Sequence, residues 1–106
     1  MDESNFHERA DDLLSSLFEA IEMADEEGVV EAELIEGVLT IELEDGGEFV
    51  INKHEPSQQV WVSSPSRGAK HYSYLEEDDE WMDNDESFKD AVLEELSDLV
   101  GINAEF

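Results

Sequence analysis

The residues best suited to chemistry in this chain are its carboxylates, and their spacing selects what that chemistry is. Glu8, Asp12, Glu19, Glu22 and Glu26 recur at helical intervals, and at roughly 100° per residue they share one face. Neighbouring carboxylates offer oxygen ligands to hard cations such as Fe²⁺, Fe³⁺, Mn²⁺ or Ca²⁺. A ridge open on one side cannot enclose an ion, so such binding is weak, multiple and poorly selective. The same pattern also suits a solvated helix face or a halophile-style acidic surface, and on composition alone that is the simpler reading.

Other constellations carry less. The three histidines are His7, His54 and His71. His7 can join Glu3 and Asp11 in a small site on the first helix, or stand solvated. No Ser/His/Asp arrangement, glycine-rich phosphate loop or paired metal-ligand histidine motif is present, so an enzyme is not expected. Residues 76–86 hold eight acids, and Asp83, Asp85, Ser87 and Glu94 approach a calcium-loop spacing. Phe88 stands where that loop needs glycine, which excludes an EF-hand.

Composition bounds the partners. Asp and Glu total 31 against five Lys and Arg, for a net charge of -26. Fifteen acids lie in residues 1–44, where Arg9 is the only base, whereas residues 56–75 have none. Nucleic acid is excluded as a ligand, because phosphate contacts need Lys and Arg to displace counterions. Cations and basic protein surfaces are what such a field attracts. Without cysteine there is no disulfide and no thiolate for zinc or an iron–sulfur cluster, so any metal is held by oxygen or imidazole. The acidic N-terminus is unlike a basic leader, and no apolar run nears the roughly 18 residues of a membrane span. A soluble, cytoplasmic protein is expected.

The elements that must position these groups follow from periodicity. Phe6, Ala10, Leu13, Leu14, Leu17, Ile21 and Ala24 predict a helix over residues 4–26, with Gly28 as its cap. The period then falls to two. Val30, Ala32 and Leu34 oppose Glu31 and Glu33, and Leu39, Ile41 and Leu43 oppose Thr40, Glu42 and Glu44. Asp45-Gly46-Gly47 signals a hairpin into residues 48–52. Further strands are expected at 59–63 and 70–74, with a short one near Trp81. A second helix is expected to begin near residues 83–86, capped by an acid or amide, to bury Phe88, Val92, Leu96, Leu99 and Val100, and to close at Gly101. The result is one domain over residues 1–106: an α+β two-layer sandwich, two terminal helices on one face of an antiparallel sheet of about five to six strands. Its open face should carry Val50, Asn52, Gln59, Trp61 and Ser63, and an outward tryptophan in an acid-free stretch suits an interaction surface.

At this point the residues match a family. Phe6-His7, Ala10-Asp11, Gly37-Val38-Leu39-Thr40-Ile41, the block Ile51-Asn52-Lys53-x-Glu55-Pro56-x-x-Gln59-Val60-Trp61-Val62-Ser63-Ser64-Pro65, Gly68, His71-Tyr72 and Trp81 resemble frataxin and its bacterial form, CyaY. The resemblance runs nearly end to end and implies the same helix–sheet–helix sandwich. It implies an iron-binding accessory protein of iron–sulfur cluster assembly, acting on a cysteine desulfurase and its scaffold. Iron, as Fe²⁺ or Fe³⁺, would be held weakly on an acidic ridge, with other divalent cations as substitutes.

The acidic positions that match that ridge are Glu19, Glu22, Asp25, Glu27, Glu31, Glu33 and Glu44, joined by Glu26 of the helix face. Glu3, His7 and Asp11 match a further metal-linked group. Glu19 and Glu22 would also meet the basic patch of the desulfurase, while Asn52, Gln59, Trp61 and His71 match the family's partner surface on the sheet. Phe18, Met23 and Val29 thin the ridge where bacterial members often carry acids, and His54 replaces a common Gln. A monomer is expected, with iron-dependent oligomers as an option. The alternatives are an acidic interaction module without a metal role, and an iron oxidase or storage protein. The oxidase needs inward-facing ligands, usually on a bundle.

Crowded carboxylates repel one another in the compact state. The melting temperature is therefore expected to rise on adding NaCl, and further on adding divalent cations, through screening and native-state binding. Salt-insensitive melting in a thermal scan would remove repulsion as the main weakness.

Overall fold

Helix α1 (Glu3–Ala24) starts where Asp2 supplies an N-cap, its side chain accepting the Asn5 amide proton at 2.8 Å. Its apolar stripe buries Phe6, Ala10, Leu13, Leu14, Leu17, Ala20 and Ile21. The structure, a computed structural model, describes residues 2–44 and 46–106. The helix ends earlier than the acidic periodicity suggests: Asp25 is the C-cap, donating its backbone N–H to Ile21 O at 2.9 Å. Gly28 takes its positive φ of 70° in the turn that follows, outside the helix.

Among the described residues, seven strands form one antiparallel sheet in chain order: β1 (Val30–Ile35), β2 (Val38–Leu43), β3 (Glu48–His54), β4 (Gln59–Ser64), β5 (Gly68–Leu75), β6 (Glu80–Asp83) and β7 (Glu86–Ser87). Glu36 and Gly37 join β1 to β2 with φ of 49° and 79°, the two left-handed residues of a type I′ hairpin turn. Of the Asp45-Gly46-Gly47 signal, Asp45 lies outside the described residues. Helix α2 (Phe88–Val100) closes the order.

Alternation sorts the sheet. Leu39, Ile41, Leu43, Phe49, Ile51, Val60, Val62 and Tyr72 face the helices and are buried with Phe88, Val92 and Leu96 of α2. Helix α1 lies against β1 to β3, and α2 against β6 and β7. Trp81 fills the core between them, edge-on to Phe6 at 6.1 Å. The tail seats Ile102 and Ala104 in the core, with Phe106 packed against it.

The expected two-layer α+β sandwich is observed, with seven strands in place of five or six. The extra strand comes from residues 83–86, which form a tight hairpin pairing Asp83 with Glu86 around Asn84 at φ 56°. The second helix therefore starts later, at Phe88. Its cap is Ser87, whose Oγ accepts the Asp90 N–H at 3.1 Å. Leu99 is exposed instead of buried, while Gly101 closes the helix at φ 72° as expected.

Two polar groups inside this core are satisfied. Tyr72 is 1% exposed and donates its hydroxyl to Glu86 at 3.0 Å; burial, then this bond, pushes the phenol well above its ordinary range. Glu95 is 3% exposed. One of its oxygens accepts from Ser66 N (3.1 Å) and Ser66 Oγ (2.7 Å), and the other lies 3.8 Å from Arg67 Nε. This carboxylate fixes the β4–β5 turn to α2. Glu95→Ala is expected to cost about 1–3 kcal/mol, because it leaves donors in a partly buried site without their acceptor. Urea unfolding measures it, and an unchanged midpoint would show that water replaces the carboxylate at no cost.

Candidate metal ridge and partner surface

Glu19, Glu22, Glu26, Glu27, Glu31, Glu33 and Glu44 are all exposed. The fold draws only some of them together. An open groove of about 530 Å³ runs along β1 and is lined by Glu22, Glu31, Glu33 and Glu42. A smaller one, about 190 Å³, adjoins Glu31, Glu42 and Glu44. Glu19, Glu26 and Glu27 line neither. Glu42 belongs to this surface although the sequence shows it only as the polar side of a strand. Sheet register is the missing signal: Glu31 pairs with Glu42, and Glu42 with Glu48. Like charges directly opposite on neighbouring strands repel, and a cation between them relieves that.

Asp25 does different work. Its two carboxylate oxygens accept the Val29 N–H (2.8 Å) and the Val30 N–H (3.1 Å). It is half-buried and ties the end of α1 to the start of β1. One lone pair on each of its oxygens is thereby engaged.

On the open sheet face, Asn52, Trp61 and His71 form one cross-strand row, and His54, Gln59 and Ser73 the next. Trp61 is sandwiched: His54 stacks at 3.7 Å and 11°, and His71 at 4.3 Å and 17°. Its indole N–H donates to Gln59 Oε1 at 3.0 Å, and Gln59 Nε2 donates to Ser73 Oγ at 3.1 Å. Asn52 donates to the Lys53 carbonyl at 3.1 Å. The strand parity expected for Val50, Asn52, Gln59, Trp61 and Ser63 holds, with Phe49, Ile51, Val60 and Val62 buried between them. Trp61 itself is half-buried, since both ring faces are covered. A flat imidazole-and-amide plate results, fed by positions brought together only by register.

A frataxin-like domain model matches residues 1–102. The chain belongs to the frataxin family. It is 33% identical over 99 residues to the iron–sulfur cluster assembly protein CyaY of Thioalkalivibrio sulfidiphilus, covering 92% of each chain. Among solved structures, frataxin from Psychromonas ingrahamii matches with a TM-score of 0.86 at 24% identity, over 99% of this chain and 97% of that one. Trimeric yeast frataxin, solved in complex with ferrous iron, matches with a TM-score of 0.74 at 32% identity, over 85% of this chain and 83% of that one. Among the described residues, no helix is long and apolar enough to cross a membrane.

The N-terminal group differs in composition from the sequence expectation. In this frataxin, Glu3, His7 and Glu55 bring one ligand atom each within 4.8 Å of one another, with His7 Nε2 2.8 Å from Glu55 and 3.9 Å from Glu3. Asp11 instead pairs with Lys53 at 2.8 Å. Glu55 lies far from His7 in sequence, in the turn after β3, and no spacing rule reaches it. Lys53 also stands 3.1 Å from His7 Nδ1. An ammonium only donates, so Nδ1 accepts and the Nε2–H points at Glu55. A metal held by Nε2 would need the imidazole proton on Nδ1, facing the Lys53 ammonium donor to donor, so Glu3, His7 and Glu55 would hold a cation only with Lys53 displaced.

Because Asp25 holds two backbone amides, Asp25→Ala is expected to lower stability by about 1–3 kcal/mol. Alanine at exposed Glu26 is expected to change it by less than about 0.5 kcal/mol. Equal effects in denaturant titration would remove the capping role.

Proposed function

We propose that this frataxin is an iron-binding accessory protein of iron–sulfur cluster assembly that docks on a cysteine desulfurase and its scaffold. The observation that carries this reading is the segregation of two surfaces. Carboxylates line the α1, β1 and β2 side, while the sheet face around Trp61 is rimmed by imidazoles and amides.

Iron is cargo in this scheme. The exposed carboxylates of Glu22, Glu31, Glu33, Glu42 and Glu44 offer oxygen ligands suited to ferrous and ferric ions. None is enclosed, so a hydrated ion keeps most of its waters and exchanges readily. Weak, releasable binding suits a donor or sensor, and an accessory role needs no catalytic centre. The ridge field speeds encounter with the basic groove of the desulfurase. The Trp61 plate then contacts the scaffold or the mobile cysteine loop through Asn52, Gln59, the indole edge and His71. The cytoplasm is the proposed setting, as a monomer.

Reversing charge tests the ridge. Glu19→Lys with Glu22→Lys is expected to weaken the desulfurase complex at least about tenfold at low ionic strength, with the difference shrinking as salt is added. Unchanged affinity at low salt would sink the ridge assignment. Anaerobic Fe²⁺ titration of labelled protein should broaden amides of β1 and β2 beside Glu22 first; even losses across residues 76–86 and both helices would make the acidity a general solvation device.

A further inference from the structure

The outer edge of β1 has a backbone pattern fixed from both ends. Val30 pairs with Leu43, yet the Val30 N–H goes to Asp25 and the Leu43 N–H goes to Gly47 O at 2.8 Å. The two residues therefore form a non-hydrogen-bonded pair. At the other end, the type I′ turn at Glu36 and Gly37 is closed by Ile35 and Val38, which such a turn makes a hydrogen-bonded pair. Alternation between these anchors agrees. Glu31, Glu33 and Ile35 bond inward to β2, and the N–H and C=O groups of Ala32 and Leu34 point out from the sheet.

β1 lies at the end of the strand order and runs six residues in unbroken register, whereas the opposite edge, β7, has two. Edges of this kind are commonly blunted by lysine, proline or a bulge. The sequence Val-Glu-Ala-Glu-Leu-Ile carries none of these. It carries carboxylates instead, and the groove beside it is walled by Glu22, Glu31, Glu33 and Glu42. A second copy of this chain, itself at -26, would set Glu31 and Glu33 against their own kind. The edge is closed to itself and complementary to the opposite charge.

We propose that β1 is a strand-addition site for an extended basic segment of a partner protein, with Lys or Arg at alternate positions. The basic side chains lie beside Glu31 and Glu33. The residues between them cover half-buried Ala32 and Leu34 on the other face. Asp25, by taking the Val30 amide, marks where the added strand stops. The inference rests on the reading that the ridge meets a basic protein, and specifies the contact as main-chain pairing as well as charge.

The test uses a blocked peptide of about six residues alternating Lys and Val. Its partner carries N-methyl groups on the amides that would face β1. With the full labelled chain, the unmodified peptide should shift the Ala32 and Leu34 amides and slow their hydrogen exchange. The methylated peptide should bind at least about tenfold more weakly, as expected for losing two hydrogen bonds. Equal affinities, or shifts spread over the acidic residues without protection at Ala32 and Leu34, would reduce the contact to charge alone and overturn the proposal. Ala32→Pro removes one outward N–H and leaves the bonds to β2; it should weaken the unmodified peptide severalfold, as expected for losing one hydrogen bond. Should that variant not fold, the peptide comparison in the unaltered chain still decides. Desulfurase affinity unchanged by Glu19→Lys with Glu22→Lys would sink the ridge reading separately, since the peptide comparison uses no desulfurase.

Discussion

Self-repulsion among carboxylates is the constraint to which the rest of the structure answers. Among the described residues, Glu95 is the only acid that is buried, and it is held by Ser66 and Arg67. All the others reach water at least in part, because the period-two and period-3.6 patterns place them away from the buried apolar residues. The scarce cations are spent where remote segments meet. Lys53 joins β3 to α1 through Asp11, Arg67 joins the β4–β5 turn to α2, and Arg9 joins α1 to Tyr74 and Asp79. None stands in the groove lined by Glu22, Glu31, Glu33 and Glu42. The carboxylates of that groove are left without a neutralising Lys or Arg beside them.

Much of this was legible in the sequence because apolar periodicity is a local property. It located α1, the parity of β3 and β4, and the apolar core of α2. It missed what depends on backbone geometry or on pairing across the sheet. The β6–β7 hairpin turns on Asn84, a non-glycine residue with positive φ, inside a run of acids that mimics the start of a helix. Asp25 looked like one more ligand on the ridge, since nothing in its spacing reveals that it caps Val29 and Val30. Glu42 and Glu55 join their clusters through register and a loop return, and the stacking of His54 on Trp61 crosses between neighbouring rows of the sheet.

The two surfaces differ in the kind of recognition they permit. The ridge acts at a distance and is weakened by salt. The plate around Trp61 acts only on contact. With both ring faces occupied by imidazoles, the indole cannot receive an inserted aromatic from a partner, so discrimination falls to its edge and to the amides of Asn52 and Gln59. Under the proposed function, a partner is captured by one surface and oriented by the other, without either surface needing to be tight.

The turn between β1 and β2 has a reach beyond its own hairpin. Any Cβ built on Gly37 would lie 2.8 Å from Lys53 Cε, and Lys53 is the group that faces His7 Nδ1. A side chain at position 37 would displace that ammonium and with it the proton placement on an imidazole of a different element. Variation at a two-residue turn is thereby felt as altered proton placement on an imidazole of α1 that the turn never touches.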